Sequence, residues 1–347
     1  MTSGFRPSDL RFLAALVLPA LMLVNILVNP AFAAWGAFLT WAAVALADAF
    51  WPGAQHSPAG GGPSPFLAWV LRRYAPLQLV MLAAGAVVAA RSDWPTVWGL
   101  AFAAGFVAGA QGITYAHELG HRKTGLDRGL AWALMTSVNY SHFMVEHYRG
   151  HHPRAATWDD PSTARRGESL WRFLPRTLAG SFADAWRLEA QRLRRHRRGW
   201  RSSPLAWCSG LNLAFIGALA VTGQGRVLAF WVGQSVVAIW LLETVNYIEH
   251  YGLQRRLQSN GRHEPFGAAH AWNADHVVSN SVLANLQRHS DHHLNAWKPY
   301  PQLQAMPGAQ LPTGYAGCLL LAAIPPLWFA VMDRRLDAMT AAVPASA

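Results

Sequence analysis

Nine of the 15 histidines in this chain fall into four short clusters. They are His117 and His121 in HELGH, His147, His151 and His152 in HYRGHH, His250 in NYIEHYG, and His289, His292 and His293 in RHSDHH. Neutral imidazole is a ligand for iron, copper, zinc and nickel. A single ion seldom takes more than roughly six donors, so nine imidazoles imply two metal ions. His117 and His121 are four residues apart, which on a helix projects both rings from one face toward one ion. His147 and His151 repeat that spacing with His152 added, and His289, His292 and His293 repeat it at a spacing of three. Two triple clusters, the HELGH pair and His250 make two ligand sets.

HELGH also matches the zinc-protease signature, with Glu118 as general base. A zinc protease needs only three protein ligands, which leaves six clustered histidines without a task. The isolated His56, His196 and His263 read as ordinary structural groups. A metal-bound imidazole donates its other N–H to a carboxylate or carbonyl. Glu118, Glu146, Glu249, Asp275 and Asp291, close to these histidines in sequence, are placed to accept it. His142, His270 and His276 are further candidates for that supporting role. Charges solvated at a membrane edge would account for any one of these equally well.

Apolar helices must position the clusters. The chain has 347 residues, 52% hydrophobic and 14% charged, against about 25% charged for a soluble domain. Six stretches approach the ~20 apolar residues that span a bilayer as a helix: about 10–28, 31–50, 75–92, 95–116, 205–222 and 227–249. The first is not a signal peptide, because a second apolar run follows at once and no small-residue cleavage site leads into a soluble domain. With the N-terminus in the cytoplasm, all of the 29 Lys and Arg except Arg91 and Arg226 lie inside, as the positive-inside rule requires. All four histidine clusters then share the cytoplasmic side, in regions 117–204 and 250–347 or at the helix ends that lead into them. The apolar runs 129–145 and 313–332 read as interfacial segments capping the site, since Pro325-Pro326 would break a spanning helix. The expected fold is one all-α integral membrane domain of six transmembrane helices with a cytoplasmic, histidine-rich di-metal cap.

Composition excludes other classes. The net charge of +11 is segregated into loops, which marks topology and not nucleic-acid binding. Cys208 and Cys318 both lie in apolar runs, so no disulfide framework and no cysteine metal knuckle is available. A membrane transporter places its site near the bilayer midplane, whereas these clusters lie at helix ends and in loops.

At these motifs the chain resembles the integral-membrane non-haem di-iron alkane 1-monooxygenases. The likeness runs from Gly112 to Leu130 through HELGHR, and from Tyr140 to DDPSTARRGESLWRFLPRT. It resumes at NYIEHYGL and continues through AWNADHVVSN, LQRHSDHH and LPTGYAG to IPPLW. Membrane fatty-acid desaturases and xylene side-chain monooxygenases are more distant members of the same superfamily. The resemblance implies two iron ions held by the nine histidines on the cytoplasmic side of a bacterial-type inner membrane. It implies hydroxylation of the terminal methyl of medium-chain n-alkanes, taken from the bilayer, by dioxygen. Another apolar substrate, an aromatic methyl group, a terpene or a fatty acyl chain, is the alternative.

The chain contains no four-cysteine site, no dinucleotide fingerprint and no flavin motif, so electrons must come from outside. A rubredoxin and an NADH-dependent rubredoxin reductase are the implied partners. Their docking surface is expected near Arg165 and Arg166 or along Arg192–Arg201, a run that also reads as a topology determinant. In the family a residue on the second helix, two turns before an aspartate, limits substrate length. Asp48 resembles that aspartate, which puts the gate at Thr40 or Trp41, unless Trp41 faces lipid.

Overall fold

The computed structural model describes residues 6–51 and 64–341. His56 lies outside them. Thirteen helices cover most of the described residues. They are α1 (Pro7–Val28), α2 (Pro30–Phe50), α3 (Pro65–Ala89), α4 (Trp94–Gly120), α5 (Gly125–Ser137) and α6 (residues 143–154). After them come α7 (Leu170–Arg195), α8 (Pro204–Val221), α9 (Gly225–His250), α10 (Val277–Val282) and α11 (His289–Leu294). The chain ends with α12 (Tyr315–Ala322) and α13 (Pro325–Ala341). Among the described residues there is no strand, only two isolated bridges.

Local sequence explains the starts. Ser64, Asp93, Thr124 and Ser203 each accept a hydrogen bond from the backbone N–H three residues on, which satisfies one of the unpaired donors of a helix start. Proline opens α3 and α8, where its missing N–H costs nothing. Pro325-Pro326 likewise opens α13 after α12 has ended, so the run 313–332 is broken where expected. The run 129–145 divides between α5 and α6 at Asn139, which turns the chain with φ of 55°.

Five helices, α1, α2, α4, α8 and α9, are long and apolar enough to cross a membrane. The expected third span, 75–92, falls in α3 as far as Ala89, where the helix ends. That helix begins at Pro65 and carries Arg72 and Arg73, and Arg72 reaches the buried Asp127 of α5 at 2.6 Å. Exposed apolar side chains such as Trp207, Leu211, Leu213 and Val221 on α8 are what a lipid-facing surface requires. The molecule is a multi-pass membrane protein.

At its centre α4 lies against α9, with α2 on α4 and α1 on α3. The approach of α4 to α9 depends on glycine: a Cβ at Gly105 would sit 2.5 Å from the Gln234 carbonyl oxygen. Small residues at such crossings let helices pack where no hydrophobic drive between them exists. Buried amides act beside them. Gln234 donates to the Ser137 carbonyl at 2.9 Å and Gln78 to the Ser137 hydroxyl at 3.3 Å, pinning the end of α5 into the bundle. Gly105→Val should destabilise the protein by about 1–3 kcal/mol through overpacking, seen as a lower thermal midpoint in detergent. Gly210→Val on α8, where nothing lies within 4 Å, should leave the midpoint in place.

Candidate metal centre

The nine clustered histidines meet in the structure as two groups. His117, His121, His147, His152 and His292 form one; His151, His250, His289 and His293 form the other. Within each group the candidate ligand nitrogens all lie within 4.8 Å of one another. His117 and His121 come from the end of α4, His250 from the end of α9, and the rest from α6 and α11.

Helical phase decides the division. Residues 147–151 of α6 form a π turn, in which backbone hydrogen bonds reach five residues back. His147 therefore pairs with His152, Nε2 to Nε2 at 3.0 Å. His151 turns away to His293 at 3.2 Å. The i,i+4 pairing of His147 with His151 that the spacing suggests does not occur. On α11 the ordinary α spacing holds: His289 and His293 share one group at 3.0 Å. His292 joins the other group, 2.9 Å from His117 and 3.2 Å from His152. His289 and His250 are 3.2 Å apart. A second π turn, Ala108–Gly112 in α4, lies just ahead of HELGH.

These contacts fit metal ions. Two nitrogens bound at right angles to a metal at ~2.1 Å lie about 3 Å apart. A neutral imidazole carries one N–H, so hydrogen bonding alone cannot satisfy clusters of four and five rings. The Nδ1 atoms of His250 and His293 and Nε2 of His121 are buried without a hydrogen-bond partner. Burial, reinforced by neighbouring imidazoles, holds His147, His152, His289, His292 and His293 well below the ordinary histidine range. Burial takes His121 down to about 3. All of these rings are thus neutral at physiological pH, the form a metal binds.

Three carboxylates stand against the imidazoles. Glu118 lies 3.3 Å from His117 Nδ1 and Glu249 lies 3.2 Å from His289 Nδ1; Glu249 also accepts the Tyr315 hydroxyl at 2.6 Å. The third is Asp160, 2.9 Å from His151 Nδ1 and held by the Thr163 hydroxyl and the Ser162 N–H. Sequence reasoning missed Asp160. It lies in the DDPSTARRGES string after the second cluster, but only the fold of that loop shows that it returns to His151. Phe143 stacks on His147 and Phe266 on His293, covering two rings with apolar surface.

The other expected supporting residues face elsewhere. Glu146 lies 3.7 Å from Arg154, which also binds Asp184. Asp275 accepts from Arg288 and Asn280. Asp291 accepts from Lys298, Asn295 and the Gln304 N–H. His142 packs on Tyr140 and Phe182, and His270 pairs with Glu264. His276 precedes α10 with a buried, unpartnered Nδ1. Arg154, Arg288, Lys298 and Glu264 thus engage Glu146, Asp275, Asp291 and His270 in place of the imidazoles.

An apolar cavity runs up to this site. Leu18, Trp41, Phe106, Leu241, Leu283 and Leu319 are among its walls, and His117, His147 and His289 lie at it. It therefore reaches both histidine groups. Thr40 and Trp41 both line it. Trp41 is only 8% exposed, stacks on Phe106 with centroids 5.8 Å apart and donates to the Ala316 carbonyl at 2.9 Å. The alternative that Trp41 faces lipid is overturned: those contacts hold it in the core.

Residues 92–324 match the fatty acid desaturase family. The chain is 44% identical to alkane 1-monooxygenase 1 of Pseudomonas aeruginosa, over 74% of this chain and 68% of that protein. It is 40% identical to alkane 1-monooxygenase of Ectopseudomonas oleovorans, over 70% of this chain and 61% of that protein. It is 29% identical to the xylene/toluene monooxygenase hydroxylase component XylM of Pseudomonas putida, over 69% of this chain and 64% of that protein. The chain thus belongs to the fatty acid desaturase family and, within it, to the alkane 1-monooxygenase group.

If the two histidine groups each hold one ion, His292→Ala and His151→Ala should each remove about half of the bound metal, from different sites. Elemental analysis of the purified variants measures this. Asp160→Ala should weaken retention at the His151 group by roughly 10–100-fold, whereas Asp275→Asn should leave metal content unchanged.

Proposed function

We propose that this protein hydroxylates the terminal methyl group of medium-chain n-alkanes with dioxygen, releasing primary alcohols. The observation that carries the reading is the apolar cavity that passes Trp41 and reaches both histidine groups. Kinship with proteins named alkane 1-monooxygenase supports it. The nine histidines would hold two iron ions, His117, His121, His147, His152 and His292 on one and His151, His250, His289 and His293 on the other. An unactivated C–H bond offers no acid, leaving group or polarisable handle, and the iron centre supplies the dioxygen-derived oxidant it needs. The zinc-protease reading of HELGH loses its support, because three further imidazoles crowd the same group and leave a hydrolase no simple open position.

The chain's own residues do the rest. Leu241, Leu283, Leu319 and Phe106 line an apolar slot that takes an alkyl chain out of lipid and excludes water. Trp41 limits how far a longer chain can extend. Glu118, Glu249 and Asp160 orient His117, His289 and His151. One oxygen atom ends in the alcohol and the other in water, which consumes two electrons and two protons per turnover.

In this reading α3 is the sixth span, the histidines face the cytoplasm, and the protein resides in the inner membrane of a bacterium. Electrons come from NADH through a rubredoxin reductase to rubredoxin, which delivers them to this protein. Arg166 is taken by Asp337 at 2.8 Å and Arg192 by Glu189 at 2.7 Å. The exposed Arg194, Arg195, Arg197, Arg198 and Arg201 are therefore the docking residues for an acidic carrier.

The test is purified protein with n-alkanes, dioxygen, rubredoxin and its reductase. Primary alcohol formed by protein containing two irons per chain supports the reading. Zinc in place of iron, or no alcohol from any alkane, overturns it. Trp41→Ala should extend the products to longer alkanes. Charge reversal at Arg194, Arg195 and Arg198 should raise the KM for rubredoxin and leave the alkane KM unchanged.

A further inference from the structure

We propose that Asp48 is a specificity-positioning residue: its carboxylate ties three walls of the cavity together and so sets which alkyl chains reach the histidines. The inference rests on the alkane reading above.

Asp48 lies near the end of α2 and is completely buried. Trp41, Val44 and Asp48 are spaced i, i+3 and i+7 and therefore share one helix face; Trp41 and Val44 line the cavity. The Asp48 carboxylate accepts the Ser279 backbone N–H at 3.2 Å and the Ser279 hydroxyl. Ser279 belongs to α10, and it and Val282 line the cavity from a second side.

The third wall is α12, whose Tyr315, Ala316 and Leu319 line the cavity. It begins directly after Gly314. A methyl group on Gly314 would run into the Asp48 carboxylate, so glycine is what lets the start of α12 close on Asp48. Trp41 ties the same two helices a second time through Ala316.

A buried carboxylate is costly unless hydrogen-bonded, and an apolar residue would pack α2 more cheaply. What Asp48 supplies is direction. Its hydrogen bonds to one residue of α10, beside close contact with Gly314, hold the wall that carries Trp41 at a set distance from the two opposite it. A change at Asp48 displaces those walls without removing any lining side chain. It should alter selectivity while leaving both histidine groups intact, since its hydrogen bonds go to Ser279.

The test compares wild type with Asp48→Asn, Asp48→Ala, Ser279→Ala and Gly314→Ala in lipid nanodiscs, with a graded series of n-alkanes. The measurements are kcat/KM for each chain length, the ratio of primary to secondary alcohol, iron content and thermal midpoint. One methylene decides roughly 10–200-fold of discrimination in an apolar pocket. The relative kcat/KM of adjacent long alkanes should therefore change by about tenfold in Asp48→Ala and Gly314→Ala, with iron content unchanged. Asp48→Asn, which still accepts from Ser279, should change it less. Unchanged chain-length preference and primary-to-secondary ratio in Gly314→Ala and Ser279→Ala, beside a lower thermal midpoint, would make the contact merely structural and overturn the proposal. Ser279→Ala removes only a hydroxyl, so it remains informative if Asp48→Ala does not fold. Absence of alcohol from wild type would overturn the alkane reading itself.

Discussion

Nine imidazoles within 4.8 Å of one another in two groups are a constraint that the rest of the structure must satisfy. Each neutral ring has only one N–H to offer its neighbours, too few to pair every nitrogen that the groups hold about 3 Å apart. A cation at each group resolves the conflict. The price is that neutral ligands bring no negative charge to balance the metal. Glu118, Glu249 and Asp160 stand directly behind the histidine rings, placed to orient the imidazoles. Nitrogen ligands with carboxylates one step removed make a centre unlike one built on direct carboxylate ligation.

The bundle exists to hold that centre at the edge of an apolar phase. Two of its central helices, α4 and α9, end in ligands, so the close glycine-mediated crossing at Gly105 also fixes how far His117 and His250 stand apart. The amphipathic α7 braces the other side. Its Glu189 receives Arg149 of α6 and the Ser203 hydroxyl that precedes α8, and its Asp184 receives Arg154. The π turn that carries His147 and His151 is therefore anchored by Arg149 within it and by Arg154 just after it. A π turn is an unfavourable local choice; here it is what sends adjacent histidines to different groups.

The cavity shows the same economy. Its walls come from helices far apart in sequence, and His117, His147 and His289 are part of its lining. Its lining is mostly apolar, with Thr40, Thr114, Asn246 and Ser279 among the polar side chains. Selectivity must then come from cavity length and shape, and residues such as Trp41 acquire influence through bulk, not through hydrogen bonding to substrate.

Much of this was legible in the amino-acid sequence. Histidine type and clustering carry ligand chemistry whatever the fold, and long apolar runs in lipid have no choice but helix, because backbone groups there must pair within the segment. The nine histidines, the membrane character and the break at Pro325-Pro326 followed from those facts alone. The tertiary structure decided the rest. Which histidines share a group depended on a π turn whose energy comes from packing, so the i,i+4 pairing of His147 with His151 failed. Asp160 became a partner of His151, while Asp275 and Asp291 went to Arg288 and Lys298, because neighbours in sequence are not neighbours in space once loops close. Trp41 pointed inward because α4, α9 and α12 offered it stacking and a carbonyl. Local spacing states what a residue is able to do; the packing of distant segments states what it meets.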